Sequence, residues 1–102
     1  MTETINIEVA RQEILDLCSE DDFGVWELWW QVRKGIQQKD AEMIFTQLIQ
    51  DLINKHLIVP KRKNQITSQF EEVVFDANIL AVQIKNSDEP DPESFYWFGI
   101  PA

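Results

Sequence analysis

Chemistry in this sequence would have to begin at Cys18 and His56, its one thiol and its one imidazole. A cysteine nucleophile needs a neighbouring base or another group that stabilises its thiolate. Cys18 falls instead on an apolar helical stripe, where a small buried hydrophobe is expected and nothing activates the thiol. His56 ends an apolar helix, where an imidazolium serves the helix dipole. One His and one Cys cannot furnish a zinc site. Gly24, Gly35 and Gly99 are too scattered for a phosphate-binding loop. The pairs Glu71-Glu72 and Asp88-Glu89 are what any acidic chain carries on its surface. No catalytic residue, cofactor or metal is expected, and the chain reads as a non-enzyme.

Tryptophan is the residue type that stands out. The 102 residues hold four Trp, six Phe and one Tyr, more ring surface than a small core usually needs. In the segment 23–35, Val25, Leu28, Trp29, Val32 and Ile36 form one helical stripe. Trp26 and Trp30 lie four residues apart, roughly 100–140° round from that stripe, with Arg33 beside them. Two readings follow. Either the segment 66–85 or an aromatic strand near the end folds over these rings, or they form an exposed patch. Aromatic rings with an arginine are the mix that dominates interface hot spots. Trp26, Trp30 and Arg33 are therefore the candidate partner-binding residues, for another protein or for a second copy of the chain. Glu27 and the acidic first helix make a protein surface a better partner for these rings than a stacked base.

Composition sets the frame around these residues. A 12.0 kDa chain with 44% apolar residues fits one domain, taken as residues 1–102. The formal charge of −9 argues against a generic nucleic-acid binder. No apolar run reaches the ~20 residues that cross a bilayer. The acidic start lacks the positive region of a signal peptide. A lone cysteine fits the reducing cytoplasm, so a soluble cytoplasmic protein is expected. The charge is segregated. Residues 1–32 carry eight acids against Arg11, residues 33–63 carry seven cations against three acids, and residues 64–102 carry seven acids against Lys85. A basic belt thus lies between acidic ends, either as a solvated surface or as a bipolar face for a partner.

The elements follow from periodicity. Ile7, Ala10, Ile14, Leu17 and Cys18 predict a helix over 7–20 capped by Asn6. Asp22 is a candidate N-cap for a helix over about 23–35 that ends at Gly35. Ala41, Ile44, Phe45, Leu48, Ile49, Leu52 and Ile53 predict a third helix over about 41–56, capped by Asp40. Leu57 to Pro60 reads as a strand that turns basic at Lys61, Arg62 and Lys63, with Pro60 marking an edge or an end. Residues 71–75 read as a strand. Asp76 caps a short helix carried by Ala77, Leu80, Ala81 and Ile84, although the β-branching in 79–84 also suits a strand. Four acids and two prolines make 86–94 a loop, and Phe95 to Phe98 an aromatic strand.

This order of helix, helix, short turn at Gly35 to Asp40, helix, basic strand 57–63 and aromatic strand 95–98 resembles the winged-helix superfamily. The resemblance implies an α+β fold: a three-helix core, a small antiparallel wing sheet and a helix-containing insertion. In the DNA-binding members the third helix enters the major groove and the wing touches phosphate. That implies Glu42, Met43, Thr46, Gln47 and Gln50 at the groove, with Lys61, Arg62 and Lys63 on the wing. Gln47 and Gln50 suit adenine edges. Asp40, Glu42 and Asp51 would meet phosphate with like charge, and about thirty residues separate the two wing strands. Winged helices also serve as protein-interaction modules. The leading expectation is an acidic, non-enzymatic protein-interaction module of the inhibitor or immunity type, with a basic partner. The alternative is a winged-helix transcriptional regulator using Gln47, Gln50, Lys61, Arg62 and Lys63.

Overall fold

Residues 2–35, 40–64, 66–91 and 94–101 are described by a computed structural model of the chain, with side chains from Ile7 onward. The fold is α+β, with four α-helices and a small antiparallel sheet. The first helix, α1, spans Thr2–Glu20. It begins before the predicted Ile7, so Asn6 lies inside it and does not cap it. Residues 2–6 hold no glycine or proline to stop the helix there. The predicted stripe is the buried one: Ala10, Ile14 and Cys18 are in the core, and Ile7 and Leu17 pack against it.

Phe23–Gly24 forms a two-residue strand, β1, and α2 follows at Val25–Val32. The helix start is therefore Gly24, not Asp22. The Gly24 N–H donates to Glu27 Oε1 at 3.1 Å, the reaching-back half of a capping box. The Val25 N–H donates to the carbonyl of Tyr96 at 2.9 Å. Hydrogen bonds from a distant strand thus hold Phe23 and Gly24 extended against the helical pattern of their own neighbourhood. Helix α2 ends at Val32, and Arg33–Gly35 tightens into a 3₁₀ turn, so Gly35 closes that turn and not the α-helix.

Helix α3 spans Ala41–Asn54 and buries Phe45, Leu48, Ile49 and Leu52. Asp40 occupies the predicted cap position, but its side chain makes no capping bond there. The other end is closed by backbone. The His56 N–H donates to the Ile53 carbonyl at 3.0 Å and the Leu57 N–H to the Leu52 carbonyl at 2.9 Å, a Schellman motif. His56 sits at φ 59°, in the left-handed region that favours glycine. Its place is past the helix end, not in the last turn. Replacing His56 by Gly should stabilise the protein by about 1 kcal/mol through relief of that strain. A thermal melt checks this, and a lowered Tm would show that the imidazole makes a contact worth more than the strain.

The sheet runs in the order β1-β4-β2-β3, with β2 at Val59–Lys63, β3 at Phe70–Glu72 and β4 at Trp97–Gly99. Pro60 was expected to mark an edge strand or the end of one, yet it lies inside β2, which is flanked on both sides. The proline is tolerated because of where it falls. Its carbonyl accepts from the Val73 N–H at 3.0 Å, so the donor it lacks would face the same neighbour just past the end of the β2–β3 ladder. The predicted strand over 71–75 shortens to β3 for the same reason. The hairpin turn before it is held by Asn64, whose Oδ1 accepts from the N–H groups of Ile66 and Thr67 at 2.8 and 3.1 Å.

The ambiguous segment is helical: α4 spans Ala77–Lys85, and Asp76 Oδ1 accepts from the Asn78 N–H at 2.8 Å and the Ile79 N–H at 3.4 Å. Leu80 and Ile84 face the core. Gln83 is also buried. Its Oε1 accepts the Tyr96 N–H at 2.8 Å and its Nε2 donates to the Ser94 carbonyl at 3.4 Å, so a side-chain amide ties α4 to the chain leading into β4. The Tyr96 hydroxyl accepts from the Asp76 N–H at 2.9 Å and donates to the Val74 carbonyl at 3.2 Å. The buried hydrophobic residues of α1 to α4 and β4 belong to one cluster, against which Phe23 of β1 packs.

Candidate functional site: the tryptophan groove of the second helix

Helix α2 carries its three tryptophans in two directions. Trp29 turns toward α3 and meets Phe45 edge-on, ring centroids 5.4 Å apart. Trp26 turns under the aromatic strand and meets Phe95 and Trp97 edge-on at 5.8 and 5.2 Å. Such edge-to-face pairs add to the area each ring removes from water. With 8% of its surface exposed, Trp26 is a core residue and not a free anchor. Trp97 also packs against Phe70 at 4.8 Å, so strands β3 and β4 build the lid over Trp26. Gly24 is needed for this packing, because a Cβ there would run into the Trp26 indole.

Trp30 is different. It is half-buried and packs on the core with one side only. It lines an open groove of about 520 Å³ together with Phe23, Trp26, Glu27, Gln31, Arg33 and Lys34. All three candidate partner-binding residues therefore border one cavity. Arg33 and Lys34 are exposed on the 3₁₀ turn. Phe23 was missed as a lining residue because its local pattern is helical. Gln31 and Lys34 carry no signal in the sequence beyond their spacing from Trp30.

The residues proposed for DNA contact are dispersed among internal partners. Lys61 Nζ lies 3.0 Å from Asp22 Oδ1 in a pair with both side chains mostly covered. Gly99 leaves room for that pair, since a Cβ there would collide with the Asp22 carboxylate. Across the β2–β3 ladder Lys61 stands opposite Glu72 and Arg62 opposite Glu71, while Lys63 stands opposite Phe70. On α3, Gln47 is exposed, but Gln50 is half-buried and its Nε2 donates to Asn54 Oδ1 at 3.0 Å. Lys55 pairs with Asp51 at 3.2 Å. The turn at 36–39, with Lys39, lies outside the described residues.

Cys18 is buried, and burial pushes its thiol up to about 12, with Asp22 adding to the shift and Lys61 opposing it. The sulfur stays protonated at neutral pH and is no nucleophile. His56 is exposed at the end of α3. Among the described residues no cluster of His, Cys, Asp and Glu is placed to hold a metal ion, and no helix is long and apolar enough to cross a membrane. No family model, curated protein or solved structure matches the chain.

Proposed function

We propose that this chain is a winged-helix-like, non-enzymatic module of the cytoplasm that binds another protein through the groove beside Trp30. The observation that carries this reading is the convergence of Trp26, Trp30 and Arg33 on one open cavity. An indole held on one side by the core and open on the other is pre-organised, so binding orders little that is not already ordered. The partner supplies an apolar side chain to the groove and a carbonyl or carboxylate to Arg33. Its wider surface is basic, because Glu8, Asp16, Glu20 and Asp21 on and after α1 are exposed, as are Asp88, Glu89 and Asp91. Such a field steers a basic protein toward the groove. An inhibitor or immunity protein for a basic effector fits this description.

The winged-helix part of the reading is supported by the pairing pattern. Strand β1, between the first two helices, pairs with β4, and β4 pairs with β2, with β3 and α4 as the insertion. The transcriptional-regulator alternative is weakened by the carboxylates facing Lys61 and Arg62. In a salt titration against mixed duplex DNA, no affinity should appear even at low salt. Steep, salt-sensitive binding would instead favour the regulator.

The groove itself is tested with the double variant Trp30→Ala, Arg33→Ala. A partner captured at low salt by the wild-type chain should bind this variant at least ~30-fold more weakly, the ~2 kcal/mol of an interface hot spot. The melt should stay cooperative. Unchanged affinity would move the interface elsewhere and sink the proposal.

A further inference from the structure

The groove beside Trp30 has a direction. Its helical residues fall in two rows, because positions four and then three apart stack on one face of a helix. One row is Trp26, Trp30 and Arg33, and the other is Glu27, Gln31 and Lys34. The first is aromatic until it ends in a cation. The second runs from an acid through an amide to a cation. The groove therefore has a carboxylate toward the start of α2, two cations just past its end and an indole between them.

The charges at the two poles are not neutralised within the molecule. Arg11, Lys55 and Lys61 each stand in an ion pair, whereas Arg33 and Lys34 are exposed and form none among the described residues. Glu27 Oε1 accepts the Gly24 N–H at 3.1 Å, and its carboxylate likewise forms no ion pair there. Gln31 is exposed, and its amide offers both a donor and an acceptor. The helix dipole favours this same order of charge, so the array is stable before any ligand arrives. Glu27 and Lys34 are about 10 Å apart along the helix axis. Because Glu27 reaches back to Gly24, its charge lies further toward the helix start, and the poles stand roughly 10–15 Å apart.

We propose that the occupant of the groove is an extended segment of a partner protein lying lengthwise along α2. It sets a carboxylate side chain at Arg33 and Lys34, an apolar side chain on Trp30 and a cationic side chain at Glu27. The proposal rests on the reading of this groove as an interface and names what enters it. The spacing fits an extended chain, in which residues two apart share a face and residues four apart are about 13 Å distant. Base, apolar residue and acid then fall at alternate positions of five, and Gln31 meets the backbone between them. A uniformly basic segment would meet Arg33 and Lys34 with like charge. A uniformly acidic one would meet Glu27 and a chain of formal charge −9. Only the bipolar segment satisfies both poles.

End-blocked pentapeptides test this, with binding read from the NMR shift of the Trp30 indole N–H in the full chain at low salt. The bipolar peptide Lys-Ser-Phe-Ser-Glu should bind about tenfold more tightly than the neutral Gln-Ser-Phe-Ser-Gln, with the two single-charge peptides in between. Lys34→Glu should remove most of that advantage. Glu27→Gln keeps an acceptor for the Gly24 N–H, so it should weaken only peptides that carry the lysine. If Glu27→Gln does not fold, the four peptides against the wild type carry the test. Equal affinity for all four would leave the interface standing and overturn the charge order. No shift of Trp30 with any of them would remove the interface as well. A dimer of the peptide-free chain that Lys34→Glu dissociates would put a second copy in the groove and overturn the proposal.

Discussion

Trp26→Ala should lose about 3–5 kcal/mol of stability, against about 1 kcal/mol for Trp30→Ala on the same helix. A small domain has only roughly 5–15 kcal/mol in hand, so the first variant should be largely unfolded at moderate denaturant and the second not. The asymmetry comes from what covers each ring. Trp26 is enclosed by Phe95 and Trp97, and its removal leaves a void beneath the aromatic strand. Trp30 loses one flank of contact and opens the groove further. Denaturant titration of both variants checks this. A loss below about 1 kcal/mol for Trp26→Ala would mean that its indole is free to move, and would return it to the binding surface.

The second large effect is expected from a polar residue. Gln83→Leu keeps approximate volume but removes the acceptor for the Tyr96 N–H, which is buried, and the donor to the Ser94 carbonyl. A buried backbone donor without a partner costs about 1–3 kcal/mol. The loss should be local as well as global. Hydrogen exchange at the Tyr96 amide should accelerate more than exchange in α3. Retained protection at Tyr96 would show that another acceptor replaces the glutamine.

Local chemistry was legible where the residues that decide it lie within a few positions of one another. The wide apolar face of α3, the stripe with Cys18 on α1 and the Asp76 cap of α4 are all of this kind. Three of the failures share a cause, which is distance along the chain. Phe23 looks helical to its neighbours and is extended only because Phe98 pairs with it. Asp22 looks like a cap, and its partner Lys61 lies 39 positions away. Pro60 looks like an edge or end residue until the length of β3 is known. Half of the candidate site was legible for the same reason. The α2 spacing puts Trp26 and Trp30 on one side, but which of them the strand covers depends on Phe95 and Trp97.

The strand order has a bearing on how the molecule comes into being. Strand β4 is the last of the four in sequence order, yet it stands between β1 and β2, and β1 touches the sheet only through it. During synthesis the earlier helices must wait, with Trp26 uncovered and β1 unpaired, until Phe95 to Gly99 have left the ribosome. A chain truncated before residue 94 would leave these surfaces open to proteases.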